Sequence, residues 1–413
     1  MIRHRLRTLV LVGCAGLLPA ARGHAVELIA NPAQAPREET LQLRERWRVG
    51  ADDDDVLLGQ ITVVISGPDG EIFALDTQLA HVLVFGPDGT YRRTLGREGE
   101  GPGEFRQPIG MFLTGDGRLA VQQAFPGRLV YVDPADGTPR GSWDVGHGDD
   151  GPGGMTFLTF AAERGGTFAV AGNRSLFDME HREIHGTEFL AVIGPDGQES
   201  RRLCELPTTR SLVAMTIDEL AEHNPADRGL WAISPDGLIY TVPTWTDYLI
   251  EVHDRSGELV RRISRAHEAR RRTEAEKAER RESMRMNVDG MVPDITWKLQ
   301  DRARAVDRIQ ILDDGSLWVR DSRGDLAWDE AGRQSFGVFD ATGRLQRQVT
   351  LAAPLPGEGN RLVLLDDGRV VMIKGLESLA ISISAGDEDE TITSDEPLGD
   401  TLLELICFEG DPR

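Results

Sequence analysis

The chain has 413 residues, 40% of them hydrophobic and 28% charged, with a formal net charge of −22. That length and balance fit a soluble globular chain with a large core. The acidic excess argues against nucleic acid or an anionic membrane as partner, because both would repel it. Only three lysines occur, Lys277, Lys298 and Lys374, so nearly all the basic charge is arginine.

Residues 1–25 read as a signal peptide. Arg3, Arg5 and Arg7 give a basic start, and Leu9 to Ala21 is an apolar run too short to span a bilayer. Gly23 and Ala25 place small residues at the two positions that define a cut after Ala25. The expectation is secretion or a periplasmic location. Leu11-Val12-Gly13-Cys14 also matches a lipobox, so lipidation at Cys14 is the alternative. Cys204 and Cys407 remain after processing. The strand count below puts them on opposite sides of the fold, so they are expected to be unpaired, buried thiols.

Residues 26–40 carry proline and alanine and are expected to be loose. From Leu41 to Gly50 the pattern alternates: Leu41, Leu43, Trp47 and Val49 on one face, Gln42, Arg44, Arg46 and Arg48 on the other. That period of two predicts a half-buried strand, and no hairpin partner follows it. A repeating unit comes next. Ile61 to Ile65 leads into Pro68-Asp69-Gly70, then Glu71 to Leu75, Val82 to Phe85, Pro87-Asp88-Gly89 and Tyr91 to Leu95. The Asp-Gly pairs supply the positive φ that tight hairpins require, so the unit is four short antiparallel strands.

The paired turns recur. Unit two has Gly115-Asp116-Gly117 and Ala135-Asp136-Gly137; unit three has Arg164-Gly165-Gly166 and Pro195-Asp196-Gly197. Unit four has Pro235-Asp236-Gly237 and Arg255-Ser256-Gly257; unit five has Asp313-Asp314-Gly315 and Ala341-Thr342-Gly343. Unit six has Asp366-Asp367-Gly368 and a last strand, Thr401 to Phe408, but no outer strand. The spare strand at 41–50 fills that gap. The reading is an all-β, six-bladed β-propeller of four-stranded antiparallel blades, a single domain over 41–413 with its ring closed by the N-terminal strand. Three insertions interrupt it: Asn173 to Thr187, a mostly helical stretch at 265–300 between blades 4 and 5, and an acidic loop at 385–400. Arg265 to Met286 contains no Gly or Pro and predicts a helix about 33 Å long.

The joint between units one and two reads Gly96-x-x-Gly99-x-Gly101-Pro102-Gly103-x-Phe105-x-x-Pro108. With the apolar strand and Asp-Gly turn that follow, it resembles the blade junction of NHL-repeat proteins. The resemblance implies a bacterial exported six-bladed propeller. Related propellers of the gluconolactonase and paraoxonase type hold a divalent ion in the central channel with Asn, Asp and Glu. Here the polar residues in or beside the first strands are Gln60, Thr114, Thr159, Ser234 and Asp307, and no four-ligand ring assembles from them. An amidating lyase would need channel histidines, and these lie mainly in loops or outer strands.

Other chemistry is weakly signalled. The glycine-rich joint lacks the Lys-Ser/Thr of a phosphate loop and carries Glu98, Glu100 and Glu104. His181-x-x-x-His185 has no evident third ligand. Asp52 to Asp55, Asp149-Asp150 and Asp387 to Glu390 lack calcium-loop spacing, although calcium is the one cofactor such loops would admit. No metal site and no catalytic set are assigned. Trp231 and Trp318 fit the core, whereas Trp297 and Trp328 fall in insertions and are the candidate ligand contacts. The expected function is that of an exported, non-catalytic, monomeric scaffold binding a protein, peptide or glycan on its loop face. The alternative is a metal-dependent hydrolase or lyase, lactonase-like, with its site in the channel.

Overall fold

In the computed structural model the described residues are 26–50, 56–145, 154–286, 294–322, 333–353, 360–374 and 403–411. Each Asp-Gly turn makes the hairpin its chemistry dictates. Unit one is a four-stranded antiparallel sheet of Ile61–Ser66, Ile72–Asp76, His81–Phe85 and Tyr91–Leu95, in chain order. Gly89 shows why the turn needs glycine. Its φ is +82°, and a Cβ there would lie 2.6 Å from the Trp47 ring. Units two (108–144) and three (154–211) are also four-stranded meanders. The first strands of successive units, Ile61–Ser66, Pro108–Leu113, Gly154–Arg164, Trp231–Ile233 and Val306–Ile311, touch one another in turn. This is an all-β propeller.

Apolar side chains fill the space between neighbouring units. Phe73, Leu75, Val82 and Leu95 of unit one pack with Met111, Leu119 and Val121 of unit two, and Phe105 from the glycine-rich joint is fully buried among them. Further clusters of this kind lie between later units.

The N-terminal segment differs from expectation. Residues 26–40 are not loose throughout: Glu27–Asn31 is a strand that pairs in parallel with Leu259–Arg265, the last strand of unit four. It is anchored by two buried side chains, Ile29 and Asn31, and Asn31 donates to the carbonyls of Ser264 (3.1 Å) and Gly343 (3.0 Å). The next strand begins before Leu41, spanning Glu38–Val49. Its first residues pair in parallel with Leu345–Ala352 of unit five, and its remainder pairs antiparallel with Glu404–Asp411 of unit six. Units five and six thereby share one eight-stranded sheet. Leu43, Trp47 and Val49 are buried, as the alternation predicts.

The insertion after unit four is less helical than its composition suggests. Arg265 ends a strand, and the one α-helix among the described residues, α1, is Glu274–Met286. Thr273 sets its start: the Thr273 hydroxyl accepts from the Glu276 N–H (3.2 Å), and the Glu276 carboxylate accepts from the Thr273 N–H (2.6 Å). Before it, Arg270 and Ala269 bond to the 302–303 backbone and side chain, so 266–272 cannot coil. After it, Asp294–Lys298 is a strand paired in parallel with Ala214–Asp218. In unit three, residues 173–187 extend the middle hairpin, paired out to Asp178 and Glu183.

Cys204 and Cys407 are free; Cys407 is buried, but Cys204 is only half-buried. Residues 1–25, read above as a signal peptide, and the acidic loop at 385–400 lie outside the described residues. None of the described helices is long and apolar enough to cross a membrane.

Candidate functional site

The first strands of units five and six, Val306–Ile311 and Arg361–Leu364, face unit one across a cleft of about 340 Å³. The strand pattern decides what enters it. Val306, Ile309 and Ile311 turn into the core, which leaves Arg308 and Gln310 on the open side. Arg361 begins its strand and is exposed, and Val63 and Val64 of unit one form the opposite wall. Arg228 joins them from the turn before Trp231. Its guanidinium lies 5.2 Å from the Phe160 ring centroid. Gly229 beside it has φ +91°, and a Cβ there would come within 3.4 Å of the Arg308 side chain, so glycine lets the two arginines approach.

The charge balance in this cleft is uneven. Asp307 is engaged by Arg320, whose Nε donates to its carboxylate at 2.7 Å. Arg228, Arg308 and Arg361 have no carboxylate within ion-pair distance among the described residues. Arg361 donates instead to the Thr62 carbonyl of unit one. Burial, then the neighbouring guanidinium groups, pushes Arg308 and Arg361 down to about 10, and burial also lowers Arg228. The three groups nonetheless reach water. A site that concentrates positive charge against surrounding protein favours an oxyanion, which planar guanidinium groups bind in pairs of parallel hydrogen bonds. Gln310 is committed to the Leu364 carbonyl (2.6 Å) and so fixes the strand spacing.

The expected contacts are placed differently. Trp297 is half-buried in the added two-stranded sheet opposite Ile217, away from this cleft. Trp328 lies outside the described residues. Trp231 and Trp318 are core residues. His181 and His185 do not share a helical face. His181 sits at a hairpin tip on Asp178 (2.8 Å), and His185 is in a strand near Thr209 (3.3 Å). Of the polar first-strand positions, Asp307 does not line the cleft but bonds Arg320, which does. Among the described residues no three His, Cys, Asp or Glu side chains are placed to hold a metal ion.

A family model described as a 6-bladed beta-propeller matches residues 52–136. No curated protein matches the chain. Among solved structures, the chain is similar to a Bacteroides fragilis protein described as exported, at 11% identity and TM-score 0.48, covering 93% of this chain and 99% of that one. It is similar to a calcium-binding regucalcin from Agrobacterium tumefaciens at 12% identity and TM-score 0.42, covering 91% and 97%. It is also similar to a gluconolactonase from Xanthomonas campestris at 14% identity and TM-score 0.38, covering 89% and 99%.

Proposed function

We propose that this protein is an exported, non-catalytic six-bladed propeller of NHL-repeat type that binds an anionic group of a peptide or glycan ligand in the arginine cleft. The observation that carries the reading is the convergence of Arg228, Arg308 and Arg361 on one cleft without a carboxylate partner among the described residues. Three like charges held together repel one another, and a bound carboxylate, sulfate or phosphate relieves that repulsion. The six-blade ring is supported by the pairing of Glu38–Val49 with Glu404–Asp411 and by the bonds of Arg369 to the Gly70 and Glu71 carbonyls, which link unit six to unit one. The basic start and small residues of the leader support export. The reading asks for no cofactor, nucleic acid or second subunit.

The same arginines weigh against the alternative of a metal-dependent hydrolase or lyase using this cleft, because guanidinium groups repel a divalent cation. Titration of the purified protein with citrate and with a sulfated oligosaccharide tests the reading. Saturable binding that weakens with salt and with Arg308→Ala supports it. Binding of neither probe, or binding indifferent to the substitution, contradicts it.

A further inference from the structure

A second cavity, of about 190 Å³, lies between α1 and the outer strands of unit three. Its charged lining is Glu188, Glu219, Glu222 and Asp227 together with Arg210, Arg280 and Arg304. Most of these groups are already matched. Glu188 accepts from Asn224 and lies 3.7 Å from Arg210. Arg280 donates to Glu219 at 3.3 Å, and Glu219 also holds Arg272 (2.8 Å) and the Gln300 N–H (2.8 Å).

Three are not. Asp227 and Glu222 have no cation within 4.0 Å among the described residues, and Arg304 has no carboxylate within that distance. The Arg304 Nε is buried with no hydrogen-bond partner, and the guanidinium is held 4.7 Å from the Trp245 ring centroid. Arg272 flanks the same ring at 5.2 Å, so Arg304 is fixed in place and cannot swing to Asp227 without leaving its stack. The cavity therefore presents one unmatched cation and two unmatched carboxylates across a polar space. Burial pushes both carboxylates toward the neutral form, against the more distant pull of Arg304 and Arg280 on Asp227 and of Arg210 on Glu222.

We propose that this cavity is a binding site for a small zwitterion bearing both an ammonium and a carboxylate, of free amino-acid type. The ligand carboxylate meets Arg304, and the ammonium meets Asp227 and Glu222. A volume of 190 Å³ equals that of about six waters, which admits a small amino acid. Leu206 and Met284 give the apolar wall against which a short side chain packs. The turn at 227–228 thus points consecutive residues at two sites: Asp227 at this cavity and Arg228 at the anion cleft.

Calorimetric titration of the full chain with alanine, N-acetylalanine and alaninamide tests the proposal. Alanine is expected to bind saturably, and each derivative, lacking one charge, to bind at least about tenfold more weakly. Arg304→Gln and Asp227→Asn are each expected to weaken alanine by a similar factor. Absence of alanine binding, equal binding of a derivative, or unchanged binding in a folded variant overturns the proposal. Because the three-probe comparison uses the unsubstituted protein, it decides the matter even where a variant does not fold.

Discussion

The side-chain carbonyl of Asn31 accepts a hydrogen bond from the backbone N–H of Leu345, 314 positions away, at 2.8 Å. The same amide donates to Ser264 and Gly343, so one buried residue ties the N-terminal strand to units four and five. Asn31→Ala is expected to destabilise the fold by about 3 kcal/mol in urea unfolding, because it strands buried backbone groups. Asn31→Asp keeps an acceptor for Leu345 but loses both donors. It is expected to recover little, and full recovery would show that the two donated bonds are dispensable.

Phe105 and Gly96 are matched at the joint between units one and two. Gly96 has φ +70°, and a Cβ on it would fall 2.2 Å from the Phe105 ring. Phe105→Ala should cost about 3–5 kcal/mol through the cavity it leaves. Gly96→Ala should also destabilise, through strain and the clash. In the double variant the clash is gone, so the combined loss measured by denaturant should be smaller than the sum.

Burial raises Asp227 to about 6 from an ordinary 3.8 and lowers His223 to about 4 from 6.5. The signs oppose. Between pH 4 and 6 the native state binds the Asp227 proton more readily than the unfolded chain, so acidification stabilises through this group, and that contribution is lost as pH rises through 6. His223 keeps its stabilising neutral form above 6.5 and loses the contribution as pH falls toward 4. Asp227→Asn should therefore make stability fall more steeply on acidification, and His223→Gln less steeply. Each difference is bounded by about 1.4 kcal/mol per pH unit. Urea midpoints across that range check both; parallel curves for all three proteins would contradict the assignment.

Glu219, 3% exposed, holds Arg272, Arg280 and the Gln300 backbone against the body of the propeller. Glu219→Ala leaves Arg272, whose side chain is 14% exposed, without that partner. The expected cost is about 3 kcal/mol or more, concentrated in α1. Hydrogen exchange should show faster amides in 274–286 with the strands of unit one unchanged.

The Asp-Gly turns made the strands and their order legible, because positive φ at residues such as Gly70 and Gly89 is a local demand. The alternation around Trp47 revealed the strand that pairs with unit six for the same reason. Glu27–Asn31 was not legible: only Ile29 and Asn31 of its five residues are buried, and its partner strand begins more than two hundred residues later. The start of α1 was legible in Thr273-x-x-Glu276 but was obscured by the charged run before it. The arginine cleft left no local signal. Arg228, Arg308 and Arg361 come from three units, and each alone reads as an ordinary surface residue; only the ring brings them together. Trp245, a wall of the cavity beneath α1, likewise has no motif.

The most direct measurement is citrate titration of the unsubstituted protein and of the triple variant Arg228→Ala, Arg308→Ala, Arg361→Ala, at low and at physiological salt. Saturable binding to the unsubstituted protein, weakened by salt, is expected, with a loss of at least about tenfold in the triple variant with its fold retained. Equal binding by the folded triple variant, or no citrate binding by the unsubstituted protein at low salt, would contradict the arginine cleft as the site of function.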